Sequence, residues 1–408
     1  MRDKWKLWLA AGAALALTAG CGTTGATTSA SGSASNSTGG SNGGSTSNST
    51  GASASTASNQ PTTLTLYISG DVNIQQVWQD HLIPLYEKSH PNVKVNIVMS
   101  THGADDNATI ARLAAGVKAH QNGNIDILEG MNVGQLAKAS LVTHLTTQDI
   151  PMMAHINPSL LQQISYDGVP YRASSVVLAY NSQFVKNPPQ TLAQVISWIK
   201  AHPGKFTYNT PTTGGSGSAF VTAVVNSQVP ASDQPKLITE QDKSLESTWT
   251  AGLKVLHDLG PDVYQHGYYA NGNTGTLNLL ANQSIWMAPV WSDQSLSALA
   301  DHQLPPTIKL IQLQPAFSGG PADLSIPANS PHKQAAEQLI NWVLTSAPQS
   351  IIVNQLNGYP GVEWKYMPQS IQTKYASIAS SYATGWNSFY SNDLNRDWQS
   401  QVAAQTSN

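Results

Sequence analysis

The chain is poor in charge. Its 408 residues include 20 Lys or Arg and 23 Asp or Glu, 11% in all, against about 25% in ordinary domains. With a net charge of −3 it offers no basic surface for nucleic acid or anionic lipid. There is one cysteine, Cys21, which excludes a disulfide and a multi-Cys metal site. The 11 histidines are scattered, with no His-x3-His pair to ligate a metal from one helix face. The longest early apolar run, Leu7 to Ala19, is shorter than the roughly 20 residues that span a bilayer. Gly-x-Ser-x-Gly, the Walker Gly-x4-Gly-Lys-Ser/Thr and the dinucleotide Gly-x-Gly-x-x-Gly are all missing from the Gly-rich stretch Gly214–Ser218, so that stretch carries the signature of none of those three chemistries.

What is present begins with an export signal. Arg2, Lys4 and Lys6 precede the short apolar run, and small residues follow it, the pattern of a secretory signal peptide over 1–20. Thr18-Ala19-Gly20-Cys21 resembles the lipobox of bacterial lipoproteins, which implies an acylated (palmitate-type) Cys21 as the new N-terminus and a membrane attachment through it. Cleavage there leaves 17 basic and 22 acidic residues, a net charge of −5. Residues 21–60 then carry the anchor and a run of Ser, Thr, Gly, Ala and Asn with no charge. Such a segment buries too little to fold and makes a tether with a root-mean-square reach of about 35 Å. Few paired carboxylates also means little stability lost when carboxylates protonate, so the composition suits an acidic exterior.

From about Thr62 strand and helix signals alternate, the mark of an α/β fold. Leu64–Tyr67, Val93–Met99 and Ile125–Leu128 read as strands, with helices at Ile74–Lys88 and Ala108–Ala119 between them. Ser174–Asn181, Ser284–Val290 and Ile308–Leu313 read as later strands, and Ala219–Ser227 as a helix leaving the Gly-rich stretch.

The order of these elements, with Ser69-Gly70, Pro91-Asn-Val-Lys-Val95, Asp167-Gly-Val-Pro-Tyr171, Leu178-Ala-Tyr-Asn181, Leu279–Asn282, Ile326–His332 and Gly358-Tyr-Pro360, resembles the bacterial extracellular solute-binding proteins of ABC importers. The resemblance covers nearly all of the body. It is strongest to the branch of thiamine-, iron-, phosphonate- and polyamine-binding proteins. It implies a two-lobe, type II periplasmic-binding fold, monomeric, that captures a small polar solute and presents it to a permease and ATPase without cofactor or catalysis. The lobes are expected at 61–176 with 312–350, and at 177–311. A C-terminal helical segment at 351–408 is expected to pack on them. Crossovers are expected near Ser174–Asn181 and Ile308–Gln314.

In α/β sheets ligands bind beyond the carboxyl ends of strands. That rule selects Ser69, Gly70 and Asp71, then Glu129, the loop Thr213, Gly214, Gly215, Ser216, Gly217 and Ser218, and Trp291 with Asp293. The Gly loop offers N–H groups and hydroxyls to an oxyanion or carbonyl, or else Ser216 only caps the next helix. Trp291 and Asp293 suit a cationic or nitrogenous solute by stacking and charge, with Asp71 and Glu129 adding charge. Without that role Trp291 shields a strand end and Asp293 caps a helix. Tyr180 and Tyr359 are further candidates. Arg172 pairs either an anionic ligand or a structural carboxylate. Iron binders carry Tyr-Tyr after the second-lobe strand, where this chain has Val290-Trp-Ser-Asp293, which disfavours iron. Two rivals remain, a glycoside-type hydrolase using Asp71, Glu129 and Asp293, and a surface lipoprotein with no transport role.

Overall fold

The computed structural model describes residues 61–101, 105–374 and 383–403. The expected signal peptide, Cys21 and the tether lie outside them. Strand β1 (Thr62–Gly70) runs between β2 (Val93–Thr101) and β3 (Ile127–Glu129), parallel to both. Parallel strands are covered on both faces, and β1 shows it. Leu64, Leu66 and Ile68 enter one core with Trp78, Tyr86 and Ile340, while Tyr67 enters another with Leu113 and Leu128. Each such large apolar side chain contributes about 1.5–3 kcal/mol when fully buried. After β1, helix α1 (Val72–Val77) passes through a π turn at Trp78–Leu82 into α2 (Ile83–Ser89). Helix α3 (Asp106–Lys118) follows β2. The Ile74–Lys88 helix expected from sequence is thus present as three joined pieces.

Strand β4 (Val169–Asn181) joins the two halves of the molecule. Its first half pairs with the returning strand from Val169 to Ser175, and its second half pairs with β5 (Met287–Trp291) from Val176 to Tyr180. The core membership changes at the same place. Val169 and Tyr171 belong to the lobe-1 core, whereas Val176 and Leu178 belong to the lobe-2 core.

Lobe 2 holds α4 (Leu192–Ala201), α5 (Gly215–Asn226), α6 (Thr250–Leu259), α7 (Gly272–Ala281), β5 and α8 (Ser292–Ala300). Its main core is aromatic, built on Phe206, Tyr208, Phe220 and Trp249. Strand β6 (Ile308–Ile311) still belongs to this lobe, pairing with Leu178–Asn181. Leu313 and Phe317 also pack in the lobe-2 core. The return crossing is therefore β7 (Ser318–Ser325), beyond the Ile308–Gln314 segment that sequence suggested. The cause is plain in the residues. Ile308–Leu313 has the apolar alternation of a strand, while SGGPADLS has none.

Back in lobe 1, α9 (Lys333–Val343) and α10 (Ser346–Leu356) complete the first core, and β8 (Tyr359–Pro360) pairs with β4. Strand β9 (Ala383–Thr384) adds to β7. The last helix, α11 (Ser391–Gln401), crosses to lobe 2, where Trp398 Nε1 donates to the Tyr208 hydroxyl at 3.1 Å. The segment after 350 thus divides, with Ile352 to Ile371 in the first core and Tyr390 to Val402 in the second.

Candidate functional site

A cavity of about 170 Å³ lies where β1 and β5 end beside the middle of the two crossing strands. Lobe 1 contributes Gly70, Asp71 and Asn73 to its wall; lobe 2 contributes Asn273, Trp291 and Asp293. Arg172 and Ser174 on β4, and Gly320 to Ala322 on β7, form its floor. The site is therefore built from both lobes and from both strands that connect them.

The charges in it are arranged around Arg172. Its Nε and Nη2 donate to Glu129 Oε1 at 3.2 and 2.8 Å, and Nη1 sits 3.8 Å from Asp293 Oδ2. Burial disfavours this guanidinium, but Tyr171, Glu129 and Asp293 hold its pKa above the ordinary value. The Tyr171 hydroxyl also donates to Glu129 Oε1 at 2.8 Å, and burial, with Glu129 second, raises its pKa. Glu129 itself is 0% exposed and is not part of the cavity wall. It acts from behind Arg172 rather than as the ligand contact expected from sequence. Its Oε2 has no hydrogen-bond partner within the protein and would lie 3.4 Å from a Cβ on Gly70. Asp323, on β7 beside it, is half-buried, and desolvation followed by the Glu129 charge pushes its carboxyl up to about 7. Asp293 is held by the Ser174 hydroxyl, which donates to Oδ1 at 2.5 Å. Counting Asp71, carboxylates outnumber the one guanidinium, and that guanidinium is already engaged. The site is acidic.

The Gly-rich stretch is placed differently from the sequence expectation. Gly215 to Ser218 form the first turn of α5, with Gly214 as N-cap. None of Thr213 to Ser218 lines the cavity. Ser216 is 0% exposed, and its hydroxyl donates to Asn209 Oδ1 at 2.7 Å and Asn273 Oδ1 at 3.0 Å. The N–H groups of Ser216 and Gly217 donate to the same two side chains. The Ser216 and Gly217 donors that could meet an oxyanion are thus bound inside the protein. Thr213 accepts from the Gly272 N–H and donates to Thr210 O. The glycines are there for space. A Cβ on Gly217 would fall 1.8 Å from Asn209 O, and one on Gly215 2.6 Å from the Trp291 ring. The stretch packs behind the Trp291 ring and holds Asn273.

Two other candidates, Tyr180 and Tyr359, are off the wall, and a third, Ser69, is engaged on it. Tyr180 pairs with Met287 and Lys309 and packs on the lobe-2 core. Tyr359 is buried in β8 opposite Ala173. Ser69 lines the cavity, yet its hydroxyl donates to Asp106 Oδ1 at 2.6 Å. Asn73, Ser174 and Asn273 are wall residues that sequence reasoning missed. Their only signal was proximity to strand ends and to the crossover.

Two α/β lobes, joined by antiparallel crossing strands and meeting at a cavity, are a type II periplasmic-binding fold. The chain belongs to the family of bacterial extracellular solute-binding proteins, whose model matches residues 82–366. It is similar to Protein YnjB of Escherichia coli (strain K12), 24% identical over 281 residues, spanning 64% of this chain and 69% of that protein. Its fold is similar to an ABC transporter substrate-binding protein from Bradyrhizobium japonicum USDA 110, with TM-score 0.65 at 16% identity over 83% of this chain and 99% of that one. It is also similar to the spermidine/putrescine ABC transporter substrate-binding protein PotD from Streptococcus pneumoniae, with TM-score 0.57 at 14% identity over 83% and 99% of the two chains. Among the described residues no helix is long and apolar enough to cross a membrane.

Proposed function

We propose that this protein captures a small organic solute bearing a cationic nitrogen between its lobes and delivers it to an ABC permease and ATPase. The observation that carries the reading is the pairing of Asp71 from lobe 1 and Asp293 from lobe 2 on one cavity wall with Trp291. An indole face and two carboxylates suit an ammonium group, through cation–π attraction and charge. A ligand held from both sides favours the closed arrangement of hinged lobes. PotD, a spermidine/putrescine binder by its name, shares the fold. The acylated Cys21 and the tether would keep the loaded body near its permease, outside the cytoplasm. No bond is made or broken in this role. A glycosidase needs two carboxyl groups flanking the scissile bond; here Glu129 is sealed behind Arg172.

Thermal unfolding across a panel of polyamines, quaternary amines, phosphonates and neutral sugars tests the reading, since a ligand of the native state raises Tm. Stabilisation by amine-bearing members, with the amine recovered unchanged, is the expected result. Stabilisation by phosphonates alone, or turnover of any member, would refute it.

A further inference from the structure

A second chamber of about 150 Å³ lies beside the first, between α1 of lobe 1 and α7 and α8 of lobe 2. The two share one residue, Asn73, which lines both. The new chamber differs in chemistry. No basic side chain lines it, its one charged residue is the exposed Asp301, and the rest of its polar wall is amides and hydroxyls, among them Asn73, Asn278, Gln294 and Ser297. Several of these are unsatisfied. Both amide atoms of Asn73 are shut off from solvent with no hydrogen-bond partner within the protein. Gln294 is 7% exposed; its Nε2 donates to the Thr274 hydroxyl at 3.1 Å, which leaves Oε1 without a partner. Ser297 Oγ is likewise without one.

Buried amide and hydroxyl groups are nearly always paired, and each one left unpaired costs about 1–3 kcal/mol. Four such atoms on three residues around one cavity are too many for a structural seam alone. They come from both lobes, Asn73 from the first and Gln294 and Ser297 from the second, so a group lying between the lobes can meet all three. Asn73 presents a donor and an acceptor, Gln294 an acceptor, and Ser297 either. The complementary group is uncharged and both donates and accepts hydrogen bonds.

We propose that this chamber is a second subsite of the solute site, taking a carboxamide or hydroxyl-bearing tail while the first chamber holds the cationic head. The proposal rests on the amine-binding reading above and extends it. The solute is then bipartite, and Asn73 marks the junction of its two parts. A site built to hydrogen-bond a polar group rejects an apolar isostere strongly, because its own groups then stay unpaired.

Two monoamines of equal charge and shape test this, namely 4-aminobutanamide and 4-methylpentylamine. Their dissociation constants are measured by calorimetry on the full chain and on its Asn73→Ala, Gln294→Ala and Asp293→Asn variants. The amide is expected to bind about tenfold tighter or more than its isostere. Asn73→Ala and Gln294→Ala are both expected to shrink that ratio to about threefold or less, and Gln294→Ala, outside the first chamber, leaves 4-methylpentylamine unchanged. Asp293→Asn is expected to weaken both amines alike and keep the ratio. Equal affinities in the unmodified protein, or a ratio untouched by Asn73→Ala, would overturn the second subsite and leave the amine site standing. Binding of neither amine would overturn both.

Discussion

Asn273 Nδ2 donates to Asp71 Oδ2 at 3.1 Å, a hydrogen bond between α7 of lobe 2 and the residue that precedes α1 of lobe 1. The other end of the same amide accepts from Ser216. The Gly-rich turn therefore reaches the opposite lobe through a single side chain. Asn273→Asp keeps the acceptor for Ser216 but sets two carboxylates face to face, and like charges this close in a partly buried site repel by a few kcal/mol. Lobe opening relieves that repulsion. The expected result is a larger radius of gyration by small-angle scattering and solute affinity reduced by about tenfold or more. An unchanged radius with unchanged affinity would show that this contact does not bias closure.

The two kinds of glycine in this region are separable by stability. Gly217→Ala must push the Asn209 carbonyl away from a Cβ placed 1.8 Å from it, and a loss of about 4 kcal/mol or failure to fold is expected. Gly275→Ala, in α7, meets nothing nearer than 3.6 Å and should gain up to about 1 kcal/mol from helix propensity. Urea unfolding of both variants checks the pair.

Removing Arg172 leaves Glu129 buried and uncompensated. Arg172→Ala is expected to cost about 3–5 kcal/mol, while a double Arg172→Met, Glu129→Leu variant loses much less, because no lone charge remains inside. Chemical denaturation of the single and double variants reads the difference. Equal losses would mean that packing, rather than charge compensation, sets the role of Arg172.

The pH dependence of stability should carry the mark of Asp323. Its folded pKa, about 7, stands above the ordinary 3.8, so between those values the native state holds a proton that the unfolded chain has released. Stability from this group is therefore greatest below about pH 4, falls as pH rises towards 7, and is lost above it. Asp323→Asn should raise Tm at pH 8 and leave it nearly unchanged at pH 4. A uniform shift at both pH values would contradict the assignment. The direction agrees with a sequence whose low charge suits acid conditions.

Much of this fold was readable because its physical causes are local. Leu64, Leu66 and Ile68 alternate in β1, and the Val176–Ala179 run marks the centre of β4. The return crossing was not readable, since Gly319-Gly320-Pro321 carries no apolar period and is held by backbone pairing, with β4 along its length and with β9 at Gly319. The site divides in the same way. Asp71, Trp291 and Asp293 follow from strand ends. Ser216 and Gly217 looked like ligand donors because glycine and serine in a row suit both an anion cradle and a tight helix start. Only the positions of Asn209 and Asn273, 7 and 57 residues from Ser216, decide between them. Glu129, expected as a ligand contact, lies behind the wall, and nothing in sequence tells a wall carboxylate from one sealed behind an arginine.

The most direct test of the central claim is calorimetric titration of the amine that most stabilises the protein, against unmodified chain and Asp293→Asn. The substitution keeps the acceptor for Ser174 and removes a carboxylate charge from the cavity wall that Trp291 also lines. Affinity should fall by about tenfold or more with Tm nearly unchanged. Equal affinity for the two proteins, or tighter binding by the variant, would contradict an acidic cleft built to hold a cation.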